Sequence, residues 1–269
     1  MKVAALCASL IMVWTAGALA GDAAPKSPAA KPDPAGAADS PKNAVGSKLA
    51  ANLKAGRKQT IVTCGTSLTA NGNWVKPFAA ALEKAHPGLT TVVNKGVSGS
   101  CSQWLVKNLD DAIVKSKPDT VIIEYGINDC VPRFNYGTDE LRKNLDSIVK
   151  RIQAALPGCE IVLMTMTPGN GPPEGHASHR KNIGDYYQVY RDVAREHGFL
   201  LVDTYPTWKK LMETDQALYR KYCPDTVHES EEGGRMVIVP AVLSTLGIEI
   251  TQDGPAQQPD RDHPEGAKQ

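Results

Sequence analysis

The chain has 269 residues, of which 42% are hydrophobic and 22% charged. That is enough for one domain of about 200 residues plus tails, and too apolar for a chain that stays unfolded throughout. The 30 basic and 29 acidic side chains nearly cancel, which argues against a nucleic-acid partner, since such proteins usually carry a basic excess.

Residues 1–20 read as a secretory leader. Lys2 supplies the positive start, an almost wholly apolar run follows to Ala16, and Ala18-Leu19-Ala20 gives a small-x-small cleavage site before Gly21. The run is short for a bilayer span. Export to the periplasm or the extracellular space is the predicted fate; an uncleaved N-terminal anchor is the other reading. Residues 21–46 carry Pro25, Pro28, Pro32, Pro34 and Pro41 among many alanines and predict a disordered linker. The folded domain is expected over 47–250. Residues 251–269, with Pro255, Pro259 and Pro264, predict a disordered tail.

Within 47–250, short β-branched runs at 60–64, 90–93, 120–124, 160–166 and 199–202 predict strands. Stretches with helical spacing follow them at 74–85, 103–114, 139–156, 182–197 and 231–246. Leu141, Leu145, Ile148, Val149 and Ile152 form one apolar stripe, and Gly158 and Gly198 fit helix stops. Strands alternating with helices predict an α/β fold with a five-stranded parallel sheet covered on both faces. The ligand site of such a sheet lies beyond the carboxyl ends of its strands.

Four polar or glycine-rich clusters stand at those ends: Gly65-Thr66-Ser67, Asn94-Lys95-Gly96-Val97-Ser98-Gly99, Gly126-Ile127-Asn128-Asp129, and Pro224-Asp225-Thr226-Val227-His228. A serine hydroxyl needs a base before it can attack a carbonyl. Ser67 is the candidate nucleophile, His228 its base and Asp225, three residues earlier, the group that orients the imidazole. The Ser67 N–H, the Gly96 N–H and the Asn128 amide are the candidate oxyanion donors. Taken singly, each motif also fits a turn glycine, a loop cap or a surface ion pair.

Several other residues have two readings. The loop 167–180 leaves the same edge of the sheet and carries His176 and His179, which are either a substrate-binding wall or part of a solvated loop. Tyr125 lines the pocket or packs in the core. Trp104 and Trp208 form a sugar-stacking platform or belong to the core. His86 and His197 read as helix-end residues. Beyond the leader stand Cys64, Cys101, Cys130, Cys159 and Cys223; some are expected to pair after export, with Cys130–Cys223 favoured. None has metal-binding spacing, so no metal or other cofactor is expected.

In this set of marks the sequence resembles the SGNH (GDSL-like) hydrolase family over about residues 47–250, through Ser67, Gly96, Asn128 and His228, with Asp225 in the family's Asp-x-x-His arrangement. The resemblance implies a three-layer α/β/α, flavodoxin-like sandwich and a metal-free serine esterase mechanism. Two positions depart from the pattern. Thr66 replaces the usual Asp and brings no carboxylate to the nucleophile turn. Glu229 replaces the usual Pro after the histidine, where its charge is expected to favour the imidazolium form. Export, only three phenylalanines and no long apolar segment near the site favour O-acetyl groups on carbohydrate as substrate. A lipase or thioesterase, a cell-surface polysaccharide O-acyltransferase and a non-catalytic binding module are the alternatives. The expected partner is a small-molecule or polysaccharide ester, with no stable protein partner.

Overall fold

The computed structural model describes residues 46–134, 136–172 and 179–249. The predicted leader, the linker up to residue 45, the C-terminal tail and His176 lie outside the described residues.

The described chain opens with α1 (Lys48–Lys54) and then alternates. β1 (Gln59–Cys64) leads through α2 (Ser67–Ala70) into α3 (Val75–Ala85), and β2 (Thr90–Asn94) leads into α4 (Ser102–Ala112). β3 (Thr120–Ile123) is followed by α5 (Gly126–Asp129) and α6 (Thr138–Ala155), and β4 (Glu160–Thr165) by α7 (Ile183–His197). β5 (Leu200–Asp203) runs into α8 (Tyr205–Thr214) and α9 (Gln216–Tyr222). The last elements are α10 (Glu231–Gly233), a π-helical turn (Gly234–Ile238) and α11 (Val239–Leu246).

All five strands pair in parallel, in the order β2-β1-β3-β4-β5. The α/β expectation of a five-stranded parallel sheet holds, with the flavodoxin-like strand order. α4 packs on α6 and α6 on α7, while α3 packs on α11, giving a helical layer on each side of the sheet. The central strands are buried on both faces, so β3 and β4 read as unbroken apolar runs rather than alternating ones. The stripe Leu141, Leu145, Ile148, Val149 and Ile152 is wholly buried. Gly198 ends α7 in the left-handed conformation at φ +67°, whereas Gly158 stands two residues beyond the cap of α6 and has no such angle.

Three helical features departed from expectation. The predicted helix over 231–246 is interrupted by the π turn. There Gly233 and Gly234 press against other backbone: a Cβ on Gly234 would lie 2.7 Å from the Asn73 carbonyl carbon. The segment around Trp208 is two helices, α8 and α9, anchored by the buried Trp208 and Tyr219. α1 was not foreseen, and its first turn is held from a distance. The carboxylate of Glu160, at the start of β4, accepts from Ser47 Oγ at 3.0 Å, from Lys48 N at 2.8 Å and from Leu49 N at 3.2 Å. Those N–H groups have no partner within the helix.

Glu160→Ala should therefore strand several buried donors at once and lower the unfolding free energy by about 3 kcal/mol. Thermal melting should show a fall on the order of 10 °C. A loss under about 1 kcal/mol would mean that apolar packing alone holds α1.

Candidate active site

The strand order reverses between β1 and β3, because β2 lies on one side of β1 and β3 to β5 on the other. This switch point leaves a crevice at the carboxyl ends of the two strands. Cys64 and Ile123 are register partners there, so the turns that follow them, with Ser67 and Asn128, emerge side by side.

Ser67 is the first residue of α2. Thr66 caps that helix, its Oγ1 accepting from Leu68 N at 3.3 Å. Ser67 Oγ lies 2.8 Å from His228 Nε2, and His228 Nδ1 lies 2.7 Å from Asp225 Oδ2. The three side chains, from segments far apart in sequence, thus form one continuous hydrogen-bonded relay. Asp225 works twice: its other oxygen accepts from Val227 N at 3.0 Å and His228 N at 2.6 Å, so the carboxylate that faces the imidazole also folds the turn. Thr226 in that turn has φ +69°, a strained angle for a β-branched residue. The loop after β4 over-determines it: Gly169 N donates to Thr226 O at 2.9 Å and Thr167 Oγ1 to Val227 O at 2.5 Å. Partial burial opposes ionisation of Asp225, but the bonds from the His228 ring and from the two N–H groups outweigh it. Its carboxyl is held below the usual carboxylate range.

The loop after β2 docks on the nucleophile turn through Val97 N and Ser100 Oγ, both donating to Gly65 O, at 2.9 and 3.3 Å. Gly96 does not offer its N–H to the crevice as the sequence suggested. That N–H donates to Asn94 Oδ1 at 2.9 Å. Gly96 is instead a packing glycine: a Cβ there would lie 2.8 Å from Ala70 Cα. Three residues on, Gly99 has φ +73°, and its N–H has no hydrogen-bond partner among the described residues. Asn128 sits on the other side of the loop and donates one amide N–H to Ser100 O at 2.9 Å. An amide carries two such donors, which leaves one for a ligand.

The remaining expectations sort by burial. Tyr125 is fully buried in the core, so it does not line a pocket. Trp208 is likewise fully buried, and Trp104 packs against the core. His86 caps α3 and His197 ends α7, as predicted. His179 Nε2 lies 2.8 Å from Gly171 O within its own loop, and the neighbouring Arg180 donates to Ile127 O at 3.0 Å, one residue before Asn128. The five described cysteines are free thiols, so the favoured Cys130–Cys223 pair is not formed. Cys223 is buried, and Cys130 donates to Ile127 O. Among the described residues no cluster of three or more His, Cys, Asp or Glu is placed to hold a metal ion.

Glu229 overturns the electrostatic expectation made for it. It is 2% exposed, and neither carboxyl oxygen has a hydrogen-bond partner. Burial, reinforced by the nearby carboxylates of Glu124 and Asp225, pushes its carboxyl far up. Burial without a hydrogen-bond partner therefore favours the neutral form of Glu229, which presents no charge to His228. Thr66 itself brings no carboxylate to the nucleophile turn, but one reaches it from the end of β3. Glu124, immediately after β3, is buried and accepts from Thr66 N, at 2.7 Å, and from the hydroxyls of Thr66 and Thr69, at 3.1 and 2.8 Å. Sequence reading missed it, because a lone Glu at the end of an apolar strand gives no signal until the β1–β3 pairing is known.

Known proteins share this arrangement of elements. The profile of the GDSL-like lipase/acylhydrolase family matches residues 40–236. An acetylxylan esterase of Geobacillus stearothermophilus is 29% identical over 186 residues, which span 65% of this chain and 81% of that protein. The solved structure of a catalytic mutant of Axe2, an acetylxylan esterase of the same species, has a TM-score of 0.63. The match covers 74% of this chain and 98% of that one at 24% identity. A structure described as a GDSL-like lipase from Parabacteroides merdae has a TM-score of 0.65, with 72% and 97% coverage at 18% identity. At these identities the two structures bear on the fold alone.

A neutral Glu229 has two measurable consequences. Glu229→Gln should leave the acid limb of any pH–rate profile where it is. It should also relieve a pH-dependent cost. A carboxyl whose folded pKa is raised keeps its proton in the native state while the unfolded chain has released it, so stability falls as pH rises above the unfolded value of about 4.3. Denaturant unfolding at pH 5 and pH 8 should show wild type losing more stability across that interval than the variant. Equal losses would place an ionised, partnered carboxylate at Glu229.

Proposed function

The chain belongs to the GDSL-like lipase/acylhydrolase family, and from that premise we propose that it is an exported serine esterase that removes O-acetyl groups from carbohydrate. Membership makes it a carboxylic ester hydrolase. The observation that carries the finer reading is the Asp225–His228–Ser67 relay, with its two contacts of 2.7 and 2.8 Å. Similarity to an acetylxylan esterase supports acetyl as the acyl group and a saccharide as its carrier.

In this reading Ser67 Oγ attacks the ester carbonyl carbon while its proton passes to His228 Nε2. Asp225 holds the ring in the tautomer that leaves Nε2 free to accept, and stabilises the imidazolium that forms. The negative charge that develops on the carbonyl oxygen is met by the Ser67 N–H, the Gly99 N–H and the second N–H of the Asn128 amide. Gly99 takes the place that the sequence reading gave to Gly96, because the Gly96 N–H is committed to Asn94 while the Gly99 N–H is not paired within the loop. His228 then returns the proton to the sugar oxygen as the C–O bond breaks, leaving an acetyl ester on Ser67. A water, deprotonated by His228, attacks that ester and releases acetate.

Export rests on the character of residues 1–20. Five unpaired thiols are compatible with it. Burial keeps each of them protonated, with Cys130 and Cys159 pushed up to about 12, and a thiol is a poor nucleophile for disulfide exchange.

The test is hydrolysis of 4-nitrophenyl acetate, and acetate release from acetylated xylo-oligosaccharide, by purified protein beside two variants. Ser67→Ala should lose at least about 10³-fold in kcat, and Asn128→Ala about 10²- to 10³-fold. Turnover by Ser67→Ala at the wild-type rate would overturn the nucleophile. A rate that climbs with acyl chain length across the nitrophenyl esters would overturn the acetyl reading.

A further inference from the structure

Beneath the Ser67 turn lies a carboxylate that the relay does not use. Glu124 is 1% exposed, and its Oε1 gathers three donors, all from the turn that carries Ser67: Thr66 N, Thr66 Oγ1 and Thr69 Oγ1. We propose that Glu124 is a positioning residue for the acyl-transfer reaction, its ionised carboxylate fixing the turn so that the hydroxyl and the N–H of Ser67 face one carbonyl group together. The proposal rests on the reading of Ser67 as nucleophile.

Each bond acts on a different degree of freedom. The Thr66 N–H bond fixes the peptide that enters the turn. The Thr66 hydroxyl donates to the carboxylate and so turns its lone pair toward Leu68 N, which it caps. That capped peptide run contains Ser67, whose orientation sets both Oγ and the oxyanion-facing N–H. Thr69 ties the far end of the same helical turn to the same oxygen. The position is built for close approach: a Cβ on Gly65 would lie 2.6 Å from Glu124 Cδ and 2.5 Å from Thr69 Oγ1, so only glycine admits the carboxylate there.

The choice of a charged group is informative. Burial pushes the Glu124 carboxyl up to about 7, even though the hydrogen bonds from Thr69 and Thr66 pull the other way. A neutral amide would hold a turn without that cost of burial. An acceptor-only group serves better where every neighbour is a donor, and it cannot flip. The titratable groups that feel its charge are Cys64 at the end of β1, Tyr125, Tyr187 and Tyr190 of α7, and Glu229; burial raises all of them. Asp129, pushed up to about 6, also acts on Tyr190 but bonds Ser102 instead.

Three variants of the full chain, with 4-nitrophenyl acetate as probe, test the role. Glu124→Gln should lower kcat by about 10- to 100-fold with KM changed by less than about twofold, because misplacing a reacting group costs turnover rather than binding. Its melting temperature above pH 7 should be no lower than wild type, since the buried charge is gone. Thr69→Val deletes one donor to the ionised form without changing the side chain's shape. It should move the acid limb of kcat to higher pH, a shift that a merely structural role would not produce and that Asp129 would not share. An unmoved limb in Thr69→Val, or a Glu124→Gln kcat within about twofold of wild type, overturns the proposal. Ser67→Ala run in parallel separates the two failures. If it turns over like wild type, the nucleophile reading has failed. If it is dead while Glu124→Gln is unimpaired, the positioning role alone has.

Discussion

The pairing of β1 with β3 is the contact on which the rest of the site depends. Cys64 O accepts the Glu124 N–H at 3.0 Å, one step beyond the last register pair of the two strands. That single backbone bond aims the Glu124 side chain under the turn that leaves β1 and sends the following residues, Gly126 to Asp129, up its flank. The turn that carries Asn128 and the serine turn are then neighbours by topology, whatever their separation in sequence. A doubly wound sheet has one place where its strand order reverses, and the chemistry collects there because only there do two loops diverge and leave room for a ligand.

Around that crevice four carboxyl groups stand in four dielectric settings. Asp225 is half-buried and takes bonds from an imidazole and two N–H groups, which keep it ionised. Glu124 is wholly buried with three donors, which only partly offset the cost of burying its charge and leave the carboxyl pushed up to about 7. Asp129 is buried with the N–H and the hydroxyl of Ser102 at the start of α4, and Asn144 donates to that same hydroxyl. Glu229 is buried with no partner and keeps its proton. Burial pushes all four toward the neutral form, and the bonds received outweigh it only at Asp225. The same side chain at nearly the same depth receives three donors at 124 and none at 229, where the nearby carboxylates of Glu124 and Asp225 add to the push of burial.

Much of the fold is legible in the sequence. The five strands were found within a residue or two, because apolar β-branched runs bounded by polar turns are unambiguous in a buried parallel sheet. Ser67, Asp225 and His228, which the structure brings into hydrogen-bond contact, stand out in sequence because a strand end, a helix start and an Asp-x-x-His turn are local features. What sequence could not give were interactions made across the fold. The Glu160 brace of α1 spans about 110 residues of chain and leaves no periodic trace. Thr167 and Gly169, which lock the histidine turn, sit in a loop whose path depends on β4. Tyr125 had a pocket and a core reading because it precedes the site loop by one position, and only the fold shows that its side chain is wholly buried. The disulfide expectation failed for a similar reason: it rested on compartment and count, while pairing requires two Cβ atoms within about 4.5 Å of each other.

The two glycines of the β2 loop show how far a motif can be trusted. Gly96 and Gly99 both lie in one short stretch, and both are needed, but for opposite reasons. Gly96 is glycine because the backbone of Ala70 occupies the space a side chain would take, and its N–H is spent on Asn94 within the loop. Gly99 is glycine because its φ of +73° turns the peptide out of the loop's own hydrogen bonding. Substitution at the first would push the loop off the serine turn; substitution at the second would redirect an N–H. A strand-end glycine in sequence therefore signals that backbone matters there, while only the geometry says whether the backbone is packed against or presented. That distinction separates a glycine that admits a neighbouring backbone from one that frees its own N–H.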